Sequence, residues 1–165
     1  MLETFAVQLK IKILTVSDRA SAGALEDTGG QAVEEALDQP DWQVVERLIV
    51  PDERDQIAAA LLRWCDEAGV DVIFTTGGTG LGPRDVTPEA TADVAERLIP
   101  GIAETMRAAG LAATPFSMLS RGLAAVRANT VIINLPGSPK VAMEGVEVVR
   151  PILEHAVAIL HGGRH

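Results

Sequence analysis

The sequence predicts an α/β fold: one domain over residues 1–165, with a mostly parallel sheet and helices on both faces. Three observations lead there. Short runs of Val, Ile and Leu alternate along the chain with segments of helical periodicity, the order expected of strands joined by helical crossovers. Apolar residues make up 47% of the sequence but aromatics only 3%, so the core must be aliphatic, which suits strands buried on both faces. The length of 165 residues is also enough to bury such a core without disulfides or structural metals.

The elements follow in order. Ala6 to Val16 carries Ile11, Ile13, Leu14 and Val16 and reads as the first strand. A polar loop from Ser17 runs through Gly23 to Gly30, and a short helix follows with Val33, Ala36 and Leu37 on one face. Trp42 to Val50 is the second strand, ended by Pro51-Asp52. Ile57, Ala60, Leu61, Trp64, Cys65 and Ala68 recur at helical spacing, with Asp52 placed as N-cap and Gly69 as terminator. Val70 to Thr76 is a compact buried strand. After a glycine-rich loop, Thr87-Pro88 has the form of an N-cap with proline in the first helical position. That helix would bury Val94, Ala95, Leu98 and Ile99 and break at Pro100-Gly101, before a short helix with Ile102, Ala103 and Met106. Leu123 to Arg127 and Thr130 to Leu135 form two paired strands around a tight Ala128-Asn129 turn. Ser138-Pro139 repeats the cap logic, and two helices split by Pro151 finish the chain.

Charge and composition exclude several functions. The formal net charge is -9, from 14 basic and 23 acidic residues, and no basic run marks a nucleic-acid or membrane surface. A small anion remains possible, because a local set of backbone N–H groups can hold phosphate in an acidic protein. The single cysteine, Cys65, rules out an intramolecular disulfide and suits a reducing cytoplasm. Met1 to Val7 shows no signal peptide, and no apolar run is long enough to span a bilayer.

Four polar loops follow expected strands: Ser17 to Ser21, Pro51 to Glu53, Thr75 to Thr87 and Leu135 to Lys140. In a parallel sheet they should converge at the carboxyl ends of the strands. The strongest feature is Gly77-Gly78-Thr79-Gly80-Leu81-Gly82, which either cradles phosphate or simply turns the chain. It is not a P-loop, lacking Gly-Lys-Ser/Thr, and it lacks the spacing of the dinucleotide fingerprint. Arg84-Asp85 adds a guanidinium for phosphate and a carboxylate that makes sense beside it if a cation sits between. The alternative is a solvated pair, with Asp85 capping a turn. Asp52 has the same ambiguity between helix cap and metal ligand. Ser120-Arg121 is an anion-binding pair or an exposed loop, and Ser138 with Lys140 stands at a helix start, a phosphate position or a plain cap. Cys65 lies on an apolar stripe and reads as core. His155, His161 and His165 have no metal-like spacing, and no G-x-S-x-G elbow supports a serine hydrolase.

Together the loops resemble a family. Thr75-Thr76-Gly77-Gly78-Thr79-Gly80 followed by Pro83-Arg84-Asp85-Val86-Thr87-Pro88-Glu89-Ala90-Thr91 is similar to the signature of molybdopterin adenylyltransferases. These are the bacterial Mog proteins and the N-terminal domain of gephyrin and its plant counterpart; the MoaB relatives share the fold. Ser17-Asp18-Arg19-Ala20-Ser21 with Glu26-Asp27, Ile49 to Glu53, Leu119-Ser120-Arg121 and Ile133 to Lys140 extend the likeness over nearly the whole chain. Gly29 departs from it, standing where serine often follows in the first loop. Retention of Arg-Asp-Val-Thr-Pro, often missing in the MoaB branch, places the chain nearer the Mog type.

The resemblance implies Mg2+, with ATP and molybdopterin as substrates. The molybdopterin phosphate attacks the α-phosphate of ATP, giving adenylylated molybdopterin and pyrophosphate. By the same resemblance Asp52 and Asp85 are the catalytic and magnesium-binding carboxylates, and Gly77, Gly78, Thr79, Gly80 and Arg84 hold the nucleotide phosphates. Ser17, Asp18, Ser120, Arg121, Gly137, Ser138 and Lys140 fall in the molybdopterin site. A homotrimer and contact with a molybdenum insertase are further expectations. Molybdenum insertion itself is not expected, because the inserting domain of fused relatives is missing. The competing reading is a non-catalytic oligomeric molybdopterin-binding scaffold of the same fold.

Overall fold

A computed structural model describes residues 8–163. A six-stranded sheet of order β2-β1-β3-β6-β5-β4 runs through it. The strands are β1 (Leu9–Val16), β2 (Trp42–Val50), β3 (Val72–Thr76), β4 (Arg97–Leu98), β5 (Ala124–Arg127) and β6 (Thr130–Leu135). β2, β1, β3 and β6 are parallel; β5 and β4 continue the sheet antiparallel. The mostly parallel sheet expected from sequence is therefore present, as are the paired strands around Ala128, whose φ of 50° makes the tight turn.

Strand alternation sorts the core into two layers. Ile11, Ile13, Val72, Phe74, Val131 and Ile133 face one side, where α2 (Thr28–Ala36), α5 (Pro100–Gly110) and α6 (Pro139–Leu160) cover them. Leu14, Val16, Ile73 and Ile132 face the other, under α3 (Arg54–Asp66) and α4 (Thr87–Val94). Cys65 is buried in this second layer, and burial pushes its thiol up to about 11, so packing is its role.

Several boundaries differ from expectation. β1 begins at Leu9; Ala6 and Val7, like the N-terminal segment read for a signal peptide, lie outside the described residues, as does His165. β3 starts at Val72, and α3 ends at Asp66, leaving Gly69 (φ 85°) in the turn between them. α4 stops at Val94, so Leu98 and Ile99 do not continue it. Arg97–Leu98 instead pairs with β5 as an edge strand and leaves Leu98 exposed. The chain is extended there because Glu96 and Ile99 N–H groups find carbonyls of Val126 and Ala124. α5 starts at Pro100 itself, a residue suited to the first helical turn. Pro151 does not split the last helix: α6 is continuous over 22 residues. Ala142, Val146 and Val149 before the proline and Leu153 and Val157 after it bury on one face, while Glu147 and Pro151 face solvent. Pro151 stands on the exposed side, and packing of the opposite, buried face holds the helix across the fault.

No helix among the described residues is long and apolar enough to cross a membrane.

Candidate functional site

β1 is followed in sequence by β2 on one side and then by β3 on the other, so the order of the sheet reverses between β1 and β3. Open α/β sheets bind ligands in the crevice outside the carboxyl ends at such a point. A cleft of about 140 Å³ opens there, lined by Val16 and Ser17 after β1, Thr76 and Gly77 after β3, Gly29 at the start of α2, and Gly137 after β6. A larger cavity, about 400 Å³, lies between the β4 edge and the end of α6, away from these loops.

The loops after β1 and β2 are tied reciprocally. The Asp18 N–H donates to Asp52 Oδ2 at 2.8 Å, and the Asp52 N–H donates to Asp18 Oδ1 at 3.0 Å. Asp52 is thus not the cap of α3. Glu53 holds that position without a side-chain cap bond, because the Asp52 carboxylate turns away from the helix toward the β1 loop. Ser17 does cap, its hydroxyl accepting from Ala20 N–H at 3.1 Å at the start of α1 (Asp18–Ser21).

The loop after β3 approaches Asp52. Gly77 and Gly78 both have positive φ, 101° and 69°. A Cβ on Gly77 would lie 2.2 Å from the Val16 carbonyl, and one on Gly78 would lie 2.3 Å from Thr87 Oγ1 and 3.2 Å from Asp52 Oδ1. Only glycine permits both the turn and the contact. Thr87 is not a cap either. Val86 occupies that position, and the Thr87 hydroxyl donates to the Gly77 carbonyl at 2.9 Å, latching α4 to the loop.

The hydrogen bonds of this loop are one-sided. Its carbonyls accept: Gly77 from Thr87 Oγ1, Gly78 from Thr87 N–H, Thr79 from Arg121 N–H, Gly80 from Arg121 Nε, and Gly82 from Asp85 N–H. Among the described residues the amides of Gly78, Thr79 and Gly80 donate to no protein acceptor. Carbonyls turned into the protein leave those N–H groups for an external anion, the property of a phosphate nest.

Acidic groups surround the nest. Asp85 Oδ2 accepts from Gly82 N–H at 2.9 Å, so its carboxylate folds back over the loop. Burial raises the Asp52 carboxyl above its ordinary value; the negative charges of Asp18 and Asp85 push the same way, against the Asp18 amide and Arg84. Arg84 is the compensating cation: it chelates Asp18 at 3.0 and 2.9 Å and reaches Glu53 at 2.8 Å. Its guanidinium holds Asp18 below the usual carboxylate range. The donor set of oxygen-only carboxylates beside free amides suits Mg2+, which is commonly held by one or two carboxylates plus substrate phosphates. Among the described residues no cluster of three or more acidic, His or Cys side chains forms an all-protein metal cage.

The remaining expected residues are placed less uniformly. Gly137 meets Gly77, and Ser138 and Lys140 sit exposed at the start of α6; Ser138 holds the cap position but makes no cap bond. Lys140 pairs with no carboxylate among the described residues. Ser120 follows a 3-10 helix, Pro115–Leu119, and among the described residues its hydroxyl makes only a long bond from Gly122 N–H, 3.4 Å. Arg121, about a third exposed, donates from Nε, Nη1 and Nη2 to Gly80, Glu89 and Asp85.

Sequence reasoning passed over Glu53, Glu89 and Asn134. Glu53 and Glu89 bind the two arginines, and Asn134 is buried, donating to Thr75 and Thr91 hydroxyls at 3.0 and 2.9 Å. The signal for Asn134 was a polar residue inside the otherwise apolar Thr130–Leu135 strand.

Fold and site define an α/β protein with an anion-receptive glycine loop, flanked by carboxylates, at its topological switch point. Residues 12–155 match the family described as "Probable molybdopterin binding domain", and the chain belongs to that family of molybdenum cofactor biosynthesis. It is 43% identical over 156 residues to a molybdopterin adenylyltransferase of Helicobacter pylori, covering 93% of this chain and 89% of that protein. The molybdopterin adenylyltransferase of Escherichia coli K12 is also 43% identical, over 86% of this chain and 74% of its own. Among solved structures, the molybdopterin biosynthesis enzyme MoaB of Thermus thermophilus superposes with TM-score 0.88 at 48% identity, covering 93% of this chain and 97% of that one. A MogA structure gives 0.86 at 41%, covering 92% and 99%. The chain thus resembles both branches in fold.

Proposed function

We propose that this protein adenylylates molybdopterin with Mg-ATP in molybdenum cofactor synthesis. The observation that carries the proposal is the Gly77–Gly82 loop, with its carbonyls satisfied internally and its Gly78, Thr79 and Gly80 amides free beside Asp52 and Asp85. The names of the 43% identical relatives support the activity and leave the non-catalytic scaffold without an observation in its favour.

In this reading the nest amides bind phosphate oxygens of ATP. The terminal phosphate oxygen of molybdopterin attacks the α-phosphorus, a new O–P bond forms, and the α–β anhydride bond breaks with its electron pair leaving on pyrophosphate. Asp52 and Asp85 would hold Mg2+, whose charge would neutralise the phosphates. Asp18 and Glu53 position Arg84, which turns from these carboxylates toward phosphate when the nucleotide binds. These ion pairs are exposed and screened by solvent, so the exchange is inexpensive. Ser17, Ser120, Ser138 and Lys140 supply hydroxyls and an unpaired ammonium for the pterin and its phosphate. Transfer of this kind asks the protein for positioning and charge compensation, and no nucleophilic side chain is needed. One domain over residues 1–165, a homotrimer in the cytoplasm and delivery of product to a molybdenum insertase complete the proposal.

The test is an anaerobic assay of purified protein with molybdopterin and Mg-ATP, scored for adenylylated molybdopterin and pyrophosphate, with Asp85→Asn as control. Asparagine can still accept the Gly82 amide, so folding is retained, while activity falls about 10²–10³-fold, the scale for loss of one electrostatic stabiliser. Pterin binding without product in the wild type would return the scaffold reading.

A further inference from the structure

Resemblance alone assigns Arg121 to the molybdopterin site, but its guanidinium is already committed. Nε donates to the Gly80 carbonyl at 2.7 Å, Nη2 to the Asp85 carbonyl at 2.7 Å, and Nη1 pairs with Glu89. The Arg121 backbone N–H also donates to the Thr79 carbonyl, at 2.9 Å. One residue therefore grips the glycine loop at Thr79, Gly80 and Asp85, at both ends of the turn that carries Asp85, and fastens it to Glu89 on α4. Glu89 gives one carboxylate oxygen to Arg121, while the other is buried without a protein partner. The fork geometry of arginine allows three bonds in three directions from one rigid plane; lysine, a point donor, cannot reproduce it.

We propose that Arg121 and Glu89 act as positioning residues for adenylyl transfer: they hold the Thr79, Gly80 and Asp85 carbonyls inward, so that the Gly80 amide of the nest and the Asp85 carboxylate face the reacting phosphates. The inference rests on the proposed adenylyltransferase reading. A peptide plane moves its C=O and the next residue's N–H together, so the pull on the Thr79 carbonyl turns the Gly80 amide outward, while Thr87, holding the Gly77 and Gly78 carbonyls, sets the Gly78 and Thr79 amides. Releasing the brace lets the Thr79–Gly82 part of the turn rotate and misdirects the Gly80 amide and the Asp85 carboxylate. A misplacement near 1 Å costs about 10²-fold in rate even when binding survives.

Arg121→Lys and Glu89→Gln separate this role from a ligand contact. Each is expected to lower kcat about 10–100-fold, while the molybdopterin dissociation constant, measured by titration without ATP, changes less than about twofold. The double variant should be no worse than the poorer single one, because both break the same brace. Amide hydrogen exchange at Gly82 and Asp85, which donate only within the turn, should accelerate in both variants with or without substrate. A weakened molybdopterin affinity in Arg121→Lys with kcat intact would make Arg121 a ligand residue and overturn the proposal. Unchanged exchange and kcat in Glu89→Gln would overturn it too. The exchange readout needs no turnover, so an inactive wild type would sink the adenylyltransferase reading while accelerated exchange in the variants still upheld the brace.

Discussion

Two charge clusters lie on the same pair of strands, and they are built to opposite ends. Lys12, in the middle of β1, is almost wholly buried, yet it pairs with Glu46 and Glu67 and lies 5.1 Å from the Trp64 ring centroid. Burial alone would lower its pKa, but the two carboxylates overcome that and raise it. About 13 Å further along β1, where the strand ends, Asp18, Asp52 and Asp85 gather around a single guanidinium, Arg84. There the balance is reversed: burial and like charge push the Asp52 carboxyl up. The first cluster is complete within the fold. The second is short of positive charge and long on free N–H groups, the arrangement of a site finished by a ligand that brings a cation and phosphates together. The contrast separates charge that serves the fold from charge that serves the chemistry.

The sharpest way to break the comparison is to neutralise one member of each cluster. Asp52→Asn should lower adenylyl transfer about 10²-fold or more, the scale of losing an electrostatic stabiliser. Its melting temperature at neutral pH should equal or exceed that of wild type, because a buried, crowded negative charge is removed and the amide oxygen can still accept from Asp18 N–H. A fall in melting temperature matching the fall in activity would mean Asp52 is structural. Lys12→Ala should behave in the opposite way, leaving kcat within about twofold while stability drops roughly 1–3 kcal/mol. The loss stays below the ~3–5 kcal/mol of a stranded buried charge, because Glu46 and Glu67 are 40% and 44% exposed and can be rehydrated. Chemical denaturation and steady-state assays on the same preparations decide both.

How far the sequence foretold this contrast depends on the kind of information each residue carries. The aliphatic strands, the Ala128 turn and the glycine loop were legible because periodicity and backbone demands are local. Thr87 was legible as a polar residue beside a helix but taken as its cap, and Asp52 stood open between cap and metal ligand, since nothing local says that Asp52 turns to Asp18 or Thr87 to Gly77. The same holds for α6: Pro151 is a breaker by local rule, and only the continuous buried stripe from Ala142 to Val157 overrides it. The partners of Arg84 and Arg121 were beyond reach, since Asp18 is 66 residues from Arg84 and Glu89 is 32 from Arg121. Charge pairing across loops is a property of the assembled strand ends.

The smallest expected effect concerns pH and tests the crowding directly. Asp52 has a raised folded-state value against an ordinary 3.8, so the folded protein favours its protonated form. Its ionisation therefore costs stability as pH rises from 3.8 through the folded value, the reverse of a carboxylate held by a cation. In magnesium-free buffer the melting temperatures of wild type and Asp52→Asn should coincide below about pH 4 and diverge above it, with the variant higher. Asp18→Asn removes one of the repelling charges and should make the divergence smaller and complete at lower pH; Arg84→Ala removes the attracting one and should make it larger and complete at higher pH. The acid limb of kcat/KM should shift in the same two directions, because Asp52 must be ionised to hold a cation. A divergence that ignores both substitutions would show that burial alone sets Asp52, and that the three carboxylates do not form one electrostatic unit.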